Sequence, residues 1–255
     1  MDPSERFPET GDIETSTDDY ASRYAHRVGE WMLQVQERET LRMLAPYPQA
    51  SVLDVGGGHG QLTGALLRNG HRVTVLSSSE ECKSRIRSYV DSGQVEFQVA
   101  NVLDIPYPDR SFDVLISLRL LAHVERWEEF LAEMARVADR AVILDYPEVR
   151  SINYIAPYLF PIKKRLEPNT RRFQCFRERQ LLDVFHKAGF RRADRFPQYF
   201  LPMMFHRLLK SQCRFSAALE SFFRLTGLTG LFGSPVILKV DRLVRADRDR
   251  MSPRA

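Results

Sequence analysis

The sequence predicts an α/β fold in which a doubly wound, mostly parallel sheet carries helices on both faces, and three observations lead there. Between residues 51 and 147 short aliphatic runs alternate with segments of helical period, the signature of successive βαβ units. A glycine-dense stretch, VLDVGGGHGQLT, joins the first run to the helix after it. A chain of 255 residues, 44% apolar and 27% charged, is long enough to bury a full core as one elaborated domain.

The elements follow in order. Residues 1–18 are rich in Pro, Ser, Thr, Asp and Glu and are expected to form a disordered acidic arm. Tyr24, Val28, Trp31, Met32, Val35 and Leu41 recur near the helical period, predicting one helix from Tyr20 to Leu44 that stops before Pro46. Strands are expected at 51–55, 71–77, 95–101, 111–118 and 140–147. The helices between them are GQLTGALLRNG, SEECKSRIRSYV and VERWEEFLAEMARVA. After the fifth strand the rhythm breaks: residues 148–176 carry prolines and no period, RERQLLDVFHKAGF is an amphipathic helix, and strands near 191–200 and 235–244 bracket a helical stretch. The domain is thus expected to span 19–244, with insertions at 147–176 and 201–233 and a disordered tail at 245–255.

Charge and cysteine usage narrow the class. From Pro147 onward 22 Lys and Arg face 9 Asp and Glu, a balance of +13 that leaves −9 on the first 146 residues. The basic half includes INYIAPYLFPI and YFLPMMFHRLL, both interrupted by proline and too short to span a bilayer. A basic, apolar-rich half suits an amphiphilic substrate or an anionic membrane surface, and equally a solvated face over an ordinary core. Cys82, Cys175 and Cys213 are odd in number and lack zinc spacing, which predicts reduced thiols, and the N-terminus carries no export signal, so a cytoplasmic location, with peripheral membrane association left open, is expected.

The glycines ask for a ligand. Four of the chain's 13 glycines lie within five positions, and such a turn after a strand puts backbone N–H groups against a small molecule at the carboxyl ends of the strands. The dinucleotide spacing GxGxxG/A would need a small residue where Gln61 stands, so the pattern present is Gly56-x-Gly58-x-Gly60 preceded by Asp54. Gly57 has no place in that minimal pattern.

The stretches VLDVGGGHGQLTGALLRNGHRVTVL, ANVLDIPYPDRSFDVLISLRLLAHV and RAVILDYP occur in the order and spacing of the motifs of class I S-adenosylmethionine-dependent methyltransferases, and the chain resembles the branch that includes the ubiquinone and menaquinone C-methyltransferases. The resemblance covers about residues 50–146. It implies a Rossmann-like sheet of seven strands, the last antiparallel, with residues 19–46 as a helical lid and S-adenosylmethionine, without a metal, as cofactor. Asp54 and the Gly56, Gly58 and Gly60 turn are implied to hold the methionine end. Ser77 stands where the family has an acid for the ribose hydroxyls, with Ser78 beside it; Asn101 stands where an Asp meets the adenine, next to Val102. Ser117 and Leu118, at the end of the fourth strand, border the cofactor, and Tyr24 of the lid is a candidate for its carboxylate.

Methyl transfer from a sulfonium is an in-line displacement, so alignment and exclusion of water come first, and a base is needed only if the acceptor must lose a proton. His123 is the candidate base, packing near the helix start being its alternative. Arg119, Tyr146, Tyr154 and His206 are candidates for the acceptor side, with a loop cap as the alternative for Arg119 and packing as that for His206; the Lys163–Arg165 and Arg171–Arg172 clusters read as a solvated face or an anion clamp. The expected acceptor is a small apolar or amphiphilic molecule, lipid-like or prenylated, methylated on carbon or oxygen. A nucleic acid is not expected, because SLRL stands where amino-directed base methylases carry [DNS]PP[YFW]. A non-catalytic cofactor binder and a nucleotide-dependent oxidoreductase are the rival readings.

Overall fold

The computed structural model describes residues 7–151, 173–209 and 212–243. Seven strands form one sheet: β1 (Ser51–Val55), β2 (Arg72–Ser77), β3 (Val95–Val99), β4 (Phe112–Ser117), β5 (Ala138–Tyr146), β6 (Phe190–Pro197) and β7 (Val236–Arg242). Their order is β3-β2-β1-β4-β5-β7-β6, with the β1–β2, β1–β4, β2–β3 and β4–β5 pairs parallel and β7 antiparallel to both neighbours. The predicted sheet is therefore present, including its single reversed strand. Because β1 pairs on one side with β2 and on the other with β4, the chain reverses its direction of winding there, and the carboxyl ends of these strands border the crevice where such sheets bind ligands.

Burial on both faces explains the near-continuous aliphatic strands. Along β5, Val142, Leu144 and Tyr146 join one core, with Phe130, Leu131 and Met134 of α6 (Trp127–Val137) and Leu181 and Phe185 of α7 (Glu178–Lys187). Ala141 and Ile143 join the opposite core, with Met43 and Leu44 of α3 (Arg27–Leu44) and Leu62 and Leu66 at α4 (Thr63–Arg68). The other end of α3 packs Val28, Met32 and Val35 around Tyr199. Beyond β6 lie α8 (Met203–Leu208), α9 (Cys213–Leu225) and α10 (Leu228–Phe232). Among the described residues no helix is long and apolar enough to cross a membrane.

Several expected boundaries shift for physical reasons. The helix expected from Tyr20 is two: α2 (Asp18–Ser22), whose Thr17 side chain caps Tyr20 N–H at 3.2 Å, and then α3 after a break. The segment 80–91 is a 3-10 turn over Glu80–Ile86 leading into α5 (Arg87–Asp91).

The disordered-arm reading fails for residues 7–18, which carry α1 (Gly11–Thr15) and a fully buried Asp12. The segment is ordered by specific polar partners in place of apolar burial, which is why composition missed it: Glu9 accepts Arg126 N–H at 2.8 Å, and Asp18 pairs with Arg85 at 2.7 Å. The expected tail at 245–255, most of the 147–176 insertion with Tyr154 and the Lys163–Arg165 and Arg171–Arg172 clusters, and residues 1–6 lie outside the described residues.

Candidate functional site

The turn after β1 begins at Gly56 (φ 77°) and ends at Gly60 (φ 73°), both left-handed, bracketing a 3-10 turn at Gly57–His59. Gly57 acquires a definite duty: a Cβ there would lie 2.2 Å from Asp54 Oδ2. The carboxylate of Asp54 thus folds up beneath the turn, into the space that the missing side chain leaves. Gln61, the residue that breaks the dinucleotide spacing, ties the turn to α3 through Nε2 to the Leu33 carbonyl (3.1 Å), while its N–H is donated to His59 Nδ1 (3.2 Å).

Asp54 is fully buried, and among the described residues neither carboxylate oxygen has a hydrogen-bond partner. Burial pushes its pKa up to about 7, with Arg119 pulling against that rise. Arg119 is the second unusual residue. It follows β4 in a left-handed conformation (φ 62°), a strained state for a side chain with a Cβ, and its N–H is donated to Asp145 Oδ1 at 2.6 Å. Its guanidinium lies 5.6 and 5.4 Å from the ring centres of Tyr20 and Tyr24, and its buried Nε has no hydrogen-bond partner.

Asp145, at the end of β5, also accepts Gln36 Nε2 at 2.8 Å; burial raises its pKa to about 6 against these favourable contacts. His59 is buried, and its pKa is held well below the usual range by burial and then by the positive charge of Arg119, leaving a neutral ring whose Nδ1 accepts and whose Nε2 carries the proton. Asp145, His59, Gly57 and Asp12 were all missed in the sequence. The available signals were an acid ending an aliphatic strand, in ILDY, and the absence of an acid at the tip of β2.

The remaining expected residues divide. Ser77 and Ser78 sit buried at the tip of β2; Ser77 Oγ has no partner, whereas Ser78 is held by Asp12. Asn101 closes its own turn by accepting Leu103 N–H at 3.0 Å, and Val102 is core. Ser117 donates its hydroxyl to the Val55 carbonyl at 2.9 Å, joining the ends of β4 and β1, and Leu118 is buried behind it. His123 ends a 3-10 turn after β4, covered by Gly11, where a Cβ would lie 2.9 Å from the His123 Cβ. Tyr24 is buried and packs on Tyr20 at a ring distance of 6.0 Å.

Two candidates on the acceptor side are not brought to this place. Tyr146 points from β5 into the core on the face opposite Asp145 and donates its hydroxyl to Glu178 at 3.2 Å. His206 is fully buried beside Tyr199 and Trp31, with Nε2 at 2.8 Å from Glu220, which also accepts Phe200 and Leu201 N–H. These contacts suit packing and loop anchoring.

A sheet of this strand order, with this turn at its switch point, has the fold of the class I S-adenosylmethionine-dependent methyltransferases. Magnesium protoporphyrin IX methyltransferase from Synechocystis PCC 6803, solved with bound S-adenosylhomocysteine (SAH), aligns over 89% of this chain and 94% of its own with a TM-score of 0.62 and 17% identity. Residues 53–144 match the family model described as a methyltransferase domain. Among curated relatives, O-methyltransferase resE of Aspergillus sclerotiorum is 33% identical over 39% of this chain and 40% of its own length. The demethylmenaquinone methyltransferase of Tropheryma whipplei (strain Twist) is 30% identical over 48% of this chain and 51% of its own. The matches thus span 40% and 51% of the length of these two relatives.

Proposed function

We propose that this chain transfers a methyl group from S-adenosylmethionine to a small apolar or amphiphilic acceptor, on carbon or oxygen, by in-line displacement. The observation that carries the reading is a pair of opposite charges left open to a ligand. Among the described residues, both oxygens of Asp54 and the Nε of Arg119 are buried without hydrogen-bond partners. A zwitterionic amino-acid group satisfies both, its ammonium on Asp54 and its carboxylate on Arg119. The glycine turn and these two groups fit the methionine end of S-adenosylmethionine, which when bound supplies an electrophilic methyl group on a sulfonium.

The chain's own residues then bind and orient. Arg119 moves in this reading from the acceptor to the cofactor, with Tyr20 and Tyr24 shielding it from water. Asn101 and Val102 are assigned to the adenine, Ser117 and Leu118 to the wall beside the methyl group. His123, neighbouring that wall, is assigned the proton of the acceptor. The relatives' names support a small-molecule acceptor, and α8–α10 expose Leu208, Phe215, Phe222, Leu225 and Leu231 in the basic half of the chain, which favours a lipid-like one presented at an anionic membrane surface. Flotation with vesicles containing an anionic lipid tests that surface; protein left entirely in the dense fraction rejects it.

Calorimetry with S-adenosylmethionine, SAH and NAD tests the central reading. Binding of the first two and not the third is expected, and absence of binding by both sulfur ligands overturns it. In turnover assays across phenolic and prenylated-quinol acceptors, His123→Gln is expected to lower kcat about 100-fold or more while leaving SAH affinity unchanged. An unchanged kcat assigns His123 to packing alone.

A further inference from the structure

Sheets of this kind bind a ribose through a carboxylate about 20 residues beyond the glycine turn, at the tip of the second strand, where it accepts the sugar hydroxyls. Here that tip carries Ser77 and Ser78, and Ser77 Oγ is fully buried with no hydrogen-bond partner among the described residues. A carboxylate nevertheless stands there. It arrives from a different part of the chain: Asp12 of α1 reaches the tip of β2, where Oδ2 accepts Ser78 N–H at 2.7 Å and Oδ1 accepts the Ser78 hydroxyl. Asp12 Cβ lies 3.5 Å from where a Cβ on Gly56 would be, so the group sits between the first glycine of the turn and the end of β2.

The residue is fully buried, and its side-chain contacts are with neutral donors, Ser78 and, more distantly, the Cys82 thiol at 3.7 Å. A carboxylate offers about four acceptor sites, of which Ser78 fills two. The positioning is built from several contacts. Thr15 Oγ1 donates to the Asp12 carbonyl at 3.1 Å, Glu9 anchors to Arg126 N–H, and Asp18 pairs with Arg85, whose Nε is donated to the His59 carbonyl at 3.3 Å. One short segment therefore runs from His123 across the glycine turn to the tip of β2.

We propose that Asp12 supplies the ribose-diol acceptor that β2 lacks, making residues 9–18 part of the nucleoside site. The inference rests on the methyltransferase reading above. Ser78 fixes the orientation of that carboxylate.

The test is calorimetry on the full chain with SAH and its 2′-deoxy analogue. The unaltered protein is expected to prefer SAH by about tenfold or more, the worth of one charge-assisted hydrogen bond. Asp12→Asn is expected to weaken SAH by at least about tenfold and to bring the two ligands within about twofold of each other. Adding Ser77→Asp to that variant is expected to restore both affinity and discrimination. Asp12→Asn that binds SAH as tightly as the unaltered protein, or more tightly, overturns the proposal. So does an unaltered protein that fails to distinguish the two ligands, a result independent of whether any variant folds. Binding of neither ligand by the unaltered protein defeats the methyltransferase reading instead.

Discussion

Asp54→Asn is expected to stabilise the ligand-free protein at pH 8 by about 3 kcal/mol and to abolish SAH binding. The carboxylate has no hydrogen-bond partner, and burial raises its pKa from 3.8 to about 7. Between pH 3.8 and about 7 the folded state therefore holds a proton that the unfolded state has released, and above about 7 it carries an uncompensated buried charge. Stability from this group is complete below the unfolded pKa, falls as pH rises toward about 7 and is lost above it, a swing of about 4 kcal/mol on paper. Asp145, raised to about 6, adds a smaller loss of the same sign. Asp113 and Glu133 are held below the ordinary carboxylate range, Asp113 by Ser51 hydrogen bonds against its burial and Glu133 by Arg136, so they weaken the fold only in more acidic solution.

Urea titrations at pH 5 and pH 8 should show the unaltered protein losing several kcal/mol between them and the variant losing markedly less. Asparagine keeps the shape and removes the charge that costs stability. A variant less stable than its parent at pH 8, or one that still binds SAH, contradicts the assignment of Asp54 as the buried anion awaiting an ammonium. The same argument expects binding of the cationic ligand near neutral pH to release a proton, because pairing lowers the carboxyl pKa.

Gly57→Ala carries the second large effect: loss of SAH binding together with a destabilisation of about 3 kcal/mol, read from urea midpoints. The added methyl group would lie 2.2 Å from Oδ2, 2.3 Å from Cγ and 2.8 Å from Oδ1 of Asp54. That carboxylate is completely buried under a turn fixed at both ends by left-handed glycines, so neither side has room to yield. Adding Asp54→Ala should return most of the stability by vacating the space and should not return binding. Were Gly57→Ala as stable as the parent, the turn would be more compliant than its packing implies.

The cofactor half of the fold was legible because its signals are local. Val52 to Val55, Val73 to Ser77 and Val114 to Ser117 are strand segments whose side chains are buried on both faces, so they read as largely aliphatic runs, and Gly56 and Gly60 stand where the backbone turns left-handed. The site was legible only where chemistry and chain order coincide. Asp54 precedes its turn directly. Asp12 meets Ser78 across 66 residues, and Gln36 meets Asp145 across 109. Such pairs leave no periodicity, and an acidic, proline-containing segment looks unstructured until the partners that hold it are known. His206 and Tyr146 show the converse: residue types associated with chemistry are spent on a buried contact with Glu220 and a core hydroxyl bond to Glu178.

The position of β7 has a consequence for how the chain can be made. Synthesised after β6, it is inserted between β5 and β6, and among the described residues β6 pairs within the sheet only with β7. As the chain emerges from the ribosome, β1 to β5 can pair as they appear, while Phe190–Pro197 must wait with both hydrogen-bonding edges open. The sheet closes only once translation has passed Arg242, so until then the nascent chain has the far edge of β5 bare and one strand without a place to dock.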